Sequence, residues 1–227
     1  MISVAVDGPA GAGKSTICRR AARQLGFVYV DTGALYRAVG LFVLRQGVDP
    51  TDNEAVQGLL KKLTLDLQFE GGEQQVLLGG ENVTGLIRTP EVSMAASRVS
   101  AVPAVRDFLF ETQRRLAREH DVVMDGRDIG TVVLPNATIK IFLTAPLEVR
   151  ARRRQLELEE KGEPADFDTV YREMEQRDYN DSHRSVAPLR QADDAVLLDN
   201  GALTLEESVE RMIAIVSKHA ADREVRG

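Results

Sequence analysis

The chain has 227 residues, 43% hydrophobic and 28% charged, enough for one well-buried α/β core with an appended subdomain and short for two independent domains. A net charge of −6 offers no global field for nucleic acid, so any anion site must be local and built from clustered arginine. Three scattered histidines lack metal-ligand spacing, a single cysteine excludes an internal disulfide framework, and no segment approaches membrane-spanning length.

The first apolar run, Ile2 to Val6, is cut short by Asp7 and Gly8, so it does not read as a signal peptide. It leads into Gly8-Pro9-Ala10-Gly11-Ala12-Gly13-Lys14-Ser15-Thr16 and then the helical stretch Ile17 to Leu25. Strand, glycine-rich turn and helix stand in the order that G-x-x-x-x-G-K-[ST] phosphate loops require. Glycines let several backbone N–H groups converge on one anion, and the helix adds its positive end. Lys14 is placed for the β- and γ-phosphates, and the Ser15 hydroxyl for Mg²⁺. Cys18, one turn into that helix, reads as a packing residue.

A short strand, Phe27 to Val30, precedes a helix from Ala34 to about Gln46, with Thr32 as the expected N-cap and Arg37 just over a turn further on. Thr32 and Arg37 fit either a capped helix with a solvated arginine or a second anion site at a parallel strand's C-terminal end. Asn53 is expected to cap a short helix through Leu60. Leu63 to Phe69 then alternates with period two, Gly71-Gly72 breaks it, Gln75 to Leu78 resumes it, and Glu81 to Val83 follows Gly79-Gly80: a small antiparallel meander. Glu91–Ser100 and Val102–Glu119 read as helices, in which Ser97 and Arg106 are either ordinary surface or inward-facing polar groups.

The buried strand Val122 to Met124 ends in Asp125-Gly126-Arg127-Asp128-Ile129-Gly130, again where open α/β sheets bind ligands. Asp125 resembles a carboxylate that holds Mg²⁺ through water, with a plain Asp-Gly turn as the alternative. Beyond the strand Ile139 to Leu143 lies a basic helix with Arg150, Arg152, Arg153 and Arg154, followed by the acidic run Glu157 to Glu160. A solvated helix with internal ion pairs is the simplest reading of that stretch. In the next helix, about Phe167 to Asn180 and its continuation, Arg177, Asp181 and Arg184 fall at i, i+4 and i+7, so one helical face could present all three. The strand Ala195 to Asp199 and the amphipathic helix Leu205 to His219 precede a tail, Asp222 to Gly227, expected to fray. Five strands alternating with helices behind a phosphate loop describe a kinase or hydrolase core, and arginine at the strand ends favours a kinase with a phosphorylated acceptor.

At these residues the chain resembles the bacterial cytidylate kinases, a branch of the nucleoside monophosphate kinases. GPAGAGKST (Gly8 to Thr16), DTGALYR (Asp31 to Arg37), IRTPEV (Ile87 to Val92), DGRDIGTVV (Asp125 to Val133), KIFLTA (Lys140 to Ala145) and RDYNDSHRSVAPL (Arg177 to Leu189) carry the resemblance over nearly the whole chain. It implies phosphoryl transfer from ATP to CMP or dCMP with Mg²⁺, on a five-stranded parallel sheet with a monophosphate-binding insert and a mobile lid. The implied core is about 1–62, 103–150 and 185–227, the insert about 63–102 and the lid about 151–184. Gly8 to Thr16 would hold the ATP phosphates, and Ser15 and Asp125 the metal. Thr32, Arg37, Arg127 and Arg177 would surround the CMP phosphate and ribose, with Asp181 and Arg184 reaching the sugar and the transferring phosphate. Ser97, Arg106 and Asp128 would read the base. Lys14, Arg127, Arg154, Arg177 and Arg184 are the expected catalytic groups; one or two of Arg150, Arg152, Arg153 and Arg154 would clamp ATP as the lid closes, with Arg154 favoured and the motif leaving open which. Asn180 and His183 fall where the family varies.

A cytoplasmic monomer with nucleotide partners, without nucleic acid or membrane, is expected. One rival is a related transferase acting on UMP or a small alcohol. Another is a nucleotide-dependent switch, but the N-K-x-D base-reading string it requires is missing from the sequence.

Overall fold

The computed structural model describes residues 1–71 and 73–224. Gly72 of the expected glycine break and residues 225–227 of the expected tail lie outside the described residues.

Strand β1 (Ser3–Asp7) runs directly into the phosphate loop and helix α1 (Lys14–Leu25). β2 (Val28–Asp31) and α2 (Thr32–Arg45) follow, then α3 (Asn53–Leu60). The cap assignments move by one residue in both helices. Asp31, not Thr32, accepts from the Ala34 N–H, and Asp52, not Asn53, accepts from the Ala55 N–H. In each case the carboxylate lies in extended backbone just ahead of the first turn, the geometry a cap needs.

The meander is present as β3 (Leu65–Glu70), β4 (Glu73–Leu78) and β5 (Glu81–Asn82), a separate antiparallel sheet in that order. Helix α4 (Pro90–Val99) carries Thr89 as its cap and proline in its first turn. Gly40 brings α2 close to it: a Cβ there would stand 2.9 Å from the Ala96 backbone nitrogen. A buried cluster including Leu35, Val39, Val76, Val83, Ile87, Val92 and Val105 joins the insert to α2 and to α5 (Pro103–Glu119). At the end of β2, the Gln74 side chain accepts from the Asp31 N–H (2.9 Å) and donates to the Asp31 carbonyl (3.2 Å), tying β4 to the core.

β6 (Val122–Gly126), a π-helical turn (Ile129–Val133), β7 (Ile139–Thr144) and β8 (Val196–Asp199) complete the main sheet, all parallel in the order β2-β6-β1-β7-β8. β1 is central, so its alternating residues serve two cores. Val4 and Val6 pack with Ile17, Cys18 and Ala21 of α1 and with Val209, Met212 and Val216 of α8 (Leu205–Glu224). Ala5 packs on the other face with Val30, Met124 and Leu116. Cys18 is fully buried, as a packing residue would be. Helix α8 continues past the expected end at His219 and into the segment expected to fray.

Between β7 and β8, α6 (Leu147–Glu160) and α7 (Phe167–His183) form a helical hairpin over a small cluster of Ala151, Val170 and Met174. α7 stops at His183, so Arg184 is not on its helical face. With φ −62° and ψ 142°, Arg184 starts an extended segment and leaves the helix direction.

Candidate active site

The phosphate loop closes over β1 because its glycines permit what a side chain would forbid. A Cβ at Gly8 would fall 1.9 Å from the Leu143 carbonyl oxygen of β7, and Gly13 enters α1 at φ 82°. Lys14 is 6% exposed and folds back on the loop, donating to the carbonyls of Gly8 (2.8 Å) and Pro9 (2.7 Å). Burial, and then the positive charge of Arg127, lower its pKa to about 7. An anion entering the loop would supply the counter-charge that the buried ammonium lacks.

Asp125, in β6, meets the loop from the neighbouring strand. It accepts from the Ser15 hydroxyl (3.2 Å) on one oxygen and from the Tyr29 hydroxyl (2.9 Å) on the other, and burial raises its pKa to about 6. Ser15 and Asp125 are hard oxygen donors side by side. That fits Mg²⁺, which keeps most of its waters and takes one or two protein oxygens beside the substrate phosphates. No cluster of three or more His, Cys, Asp or Glu side chains with metal-binding potential occurs among the described residues.

A second group of polar side chains gathers at the C-terminal ends of β2 and β6. Thr32 does not cap α2; its hydroxyl donates to the Asp125 carbonyl (2.7 Å) and joins the two strand ends. Arg37 donates to Asp31 (2.8 Å) from the first turns of α2. Arg127 donates to Asp181 of α7 (2.8 Å), and burial is opposed there by the arginines around Asp181, which hold its carboxyl below the ordinary value. Arg177 keeps an accessible side chain on α7, but crowding by protein atoms, then the like charges of Arg127 and Arg37, lower its pKa. Three arginines drawn together this way describe a site for a multiply charged anion.

Beyond them, Asp128 is 4% exposed and Arg106 is 2% exposed. Arg106 donates to one Asp128 oxygen and Arg184 to the other (3.4 Å), while burial still raises the Asp128 pKa. Arg106 is therefore inward-facing, unlike Ser97, which is exposed on α4 with its carbonyl accepting from the Ser100 hydroxyl. Tyr36 lies against Arg106, whose guanidinium carbon is 5.8 Å from the ring centre, and burial pushes the phenol up to about 12.

The basic stretch of α6 divides by face. Arg154 pairs with Glu157 (2.9 Å) on the solvent side, the internal ion pair that the sequence pattern suggests. Arg150 is buried; it donates to the carbonyl of Ala10 in the phosphate loop (3.0 Å) and pairs with Asp178 of α7 (2.7 Å). Arg153 donates to Asn200, whose amide donates to the Ala12 carbonyl (2.9 Å). Sequence reasoning gave no role to Tyr29, Asp31, Tyr36 and Asn200, and among the arginines of the basic helix it favoured Arg154, whereas Arg150 is the one bonded to the phosphate loop. Asp31 stood in plain position, the last residue of a strand and the first of the motif Asp31 to Arg37. The others act through contacts distant in sequence.

A parallel sheet with the loop after its central strand and arginines clustered at the neighbouring strand ends defines a phosphate-loop nucleotide-binding fold. In the gluconokinase from Sinorhizobium meliloti 1021, a solved structure, the same fold is met at a TM-score of 0.51 and 15% identity, over 100% of this chain and 97% of that one. The family model described as cytidylate kinase matches residues 4–218. A curated cytidylate kinase from Caldicellulosiruptor bescii is 49% identical over 217 residues, 96% of each chain. One from Lactobacillus johnsonii is 47% identical over 218 residues, 96% of this chain and 95% of that one. The chain belongs to the cytidylate kinase family.

Proposed function

We propose that this enzyme transfers the γ-phosphoryl group of ATP to CMP or dCMP, giving ADP and CDP or dCDP. Besides family membership, the observation that carries the reading is the buried Asp128 carboxylate, held by Arg106 and Arg184 and opening from the strand next to the phosphate loop. Cytosine offers an exocyclic amino donor, for which a carboxylate is the natural acceptor, beside N3 and O2 acceptors for Arg106 and Ser97. Uracil places O4 where the amino group was, setting oxygen against oxygen. A buried polar site rejects such a mismatch strongly.

The residues Gly8 to Thr16 hold the ATP phosphates, with Lys14 leaving the loop carbonyls for the β- and γ-phosphates. Ser15 and Asp125 would hold Mg²⁺, which would supply charge neutralisation at the phosphate oxygens. Thr32, Arg37, Arg127 and Arg177 surround the acceptor phosphate, and Asp181 and Arg184 reach the sugar and the transferring group. The acceptor oxygen is already ionised near neutral pH, so no general base is required. The work left to the protein is alignment, exclusion of water, and stabilisation of charge on a loose phosphoryl transition state. Residues 63–102 act as the acceptor-binding insert and 151–184 as the lid, on a core of 1–62, 103–150 and 185–227. For Arg154 to clamp ATP it must exchange Glu157 for phosphate as the lid closes. The enzyme acts as a cytoplasmic monomer among soluble nucleotides, which light scattering at assay concentration tests.

The deciding experiment is ADP release measured with CMP, dCMP, UMP, AMP and GMP at fixed ATP and Mg²⁺. Turnover concentrated on the cytosine monophosphates is expected. Equal or better turnover of UMP would overturn the assignment.

A further inference from the structure

Asp7 ends β1 immediately before Gly8, is 4% exposed, and has no part in the site described above. Its two carboxylate oxygens accept from the backbone N–H groups of Ile129 (2.7 Å) and Gly130 (2.7 Å). Those are the first two N–H groups of the π-helical turn that follows Asp128. A helical turn leaves its leading N–H groups without intrahelical acceptors, and the usual remedy is the side chain at the N-cap position. Here that position is occupied by Asp128, which makes no cap hydrogen bond; its oxygens face Arg106 and Arg184 instead. The approach is made possible by Gly130, since a Cβ there would lie 3.3 Å from the nearer Asp7 oxygen and 3.1 Å from the Lys140 Cδ.

We infer that Asp7 is a positioning residue for nucleobase recognition: by capping the turn from the neighbouring strand, it leaves the Asp128 carboxylate free to face the acceptor base. Two bonds from one rigid fork also fix the turn's rotation, which one acceptor would not. Without them, the usual acceptor for such N–H groups is the side chain at the turn's own N-cap position, Asp128, and a carboxylate turned back onto its own helix no longer meets cytosine. Because Asp7 adjoins Gly8, the same contact sets the distance between the donor loop and the base-reading turn.

The inference rests on the proposed role of Asp128, and three variants separate the two. Asp7→Asn, Gly130→Ala and Asp128→Asn are compared with the parent for kcat/KM on CMP and on UMP and for the KM of ATP. Far-UV circular dichroism is recorded beside the assays. Asp7→Asn is expected to lower kcat/KM for CMP by about tenfold or more, the scale of a lost charge-assisted hydrogen bond, mainly through KM. The preference for CMP over UMP should fall while the KM of ATP changes much less. Gly130→Ala, a smaller displacement of the same contact, should shift the preference in the same direction and decides the matter if Asp7→Asn does not fold. In the double variant Asp7→Asn/Asp128→Asn, the preference should equal that of Asp128→Asn alone, since one residue acts through the other. An unchanged preference in both Asp7→Asn and Gly130→Ala, with Asp128→Asn altered, overturns the inference and spares the base-reading assignment. An unchanged preference in Asp128→Asn overturns that assignment, and the inference with it.

Discussion

Replacing Asp128 by asparagine removes one charge and changes almost no volume, so its consequences for stability and for specificity can be worked separately. Arg106 is 2% exposed and would face a neutral amide instead of a carboxylate. Breaking a buried ion pair by removing one partner costs about 3–5 kcal/mol. The asparagine oxygen still accepts, and the rings of Tyr36 and Phe110 stand 5.8 and 5.3 Å from the guanidinium carbon, so the lower end applies. A cost of about 3 kcal/mol would lower Tm by roughly 6–12 °C in a chain of this size. Specificity should change more. The asparagine can turn its amide to present NH₂ to O4 of uracil, so the CMP-over-UMP preference should fall by about 100-fold, about 2.7 kcal/mol of discrimination. The assay is steady-state kcat/KM for both monophosphates, with thermal unfolding of the same preparations. A variant with the expected lower Tm but a preference within about threefold of the parent would show that Asp128 serves only as a structural counterion.

For Lys14→Ala, phosphoryl transfer should fall by about 10²–10³ or more, the effect of removing one transition-state charge donor, with the far-UV spectrum unchanged. Fold stability should be little altered, because the buried ammonium is bonded only to two loop carbonyls and burial already opposes its charge. Gly40→Ala forces α4 away from α2 and should cost about 1–3 kcal/mol in a urea titration. No loss would mean that the helices separate freely. Burial raises the Asp7 pKa from 3.8 to about 6, with Asp128 adding to the rise and Lys14 opposing it. The native state therefore holds a proton that the unfolded chain has lost between about pH 4 and 6, and this stabilising contribution fades as pH rises through 6. The shift is about 3 kcal/mol, so unfolding measured from pH 4.5 to 7.5 should have a flatter pH dependence in Asp7→Asn than in the parent. Parallel curves would remove Asp7 as the titrating group.

Much of the architecture is legible locally. Alternation in Leu63 to Phe69 and Gln75 to Leu78 marks the inserted sheet, and β3 and β4 form over those stretches. Helical spacing of Leu35, Val39 and Val43 marks α2, although its cap is Asp31. The Thr32 hydroxyl could not be placed from sequence because its acceptor, the Asp125 carbonyl, is 93 residues away and arrives only when β2 pairs with β6. Spacing put Arg184 in line with Arg177 and Asp181, but spacing carries a side chain onto a face only while the backbone stays helical. The backbone leaves the helix at Arg184, and from there it reaches Asp128.

The amino-acid sequence by itself determined the phosphate loop, because its chemistry lies in nine consecutive residues: the backbone N–H groups that the glycines free and the ammonium of Lys14. Tertiary structure decided who holds whom: Arg150 against the loop, Tyr29 on Asp125, and Asp7 capping the turn that follows Asp128. These pairings join elements brought together by sheet order and by the helices that pack on it, and no local pattern of hydrophobicity or charge encodes which strand lies beside which.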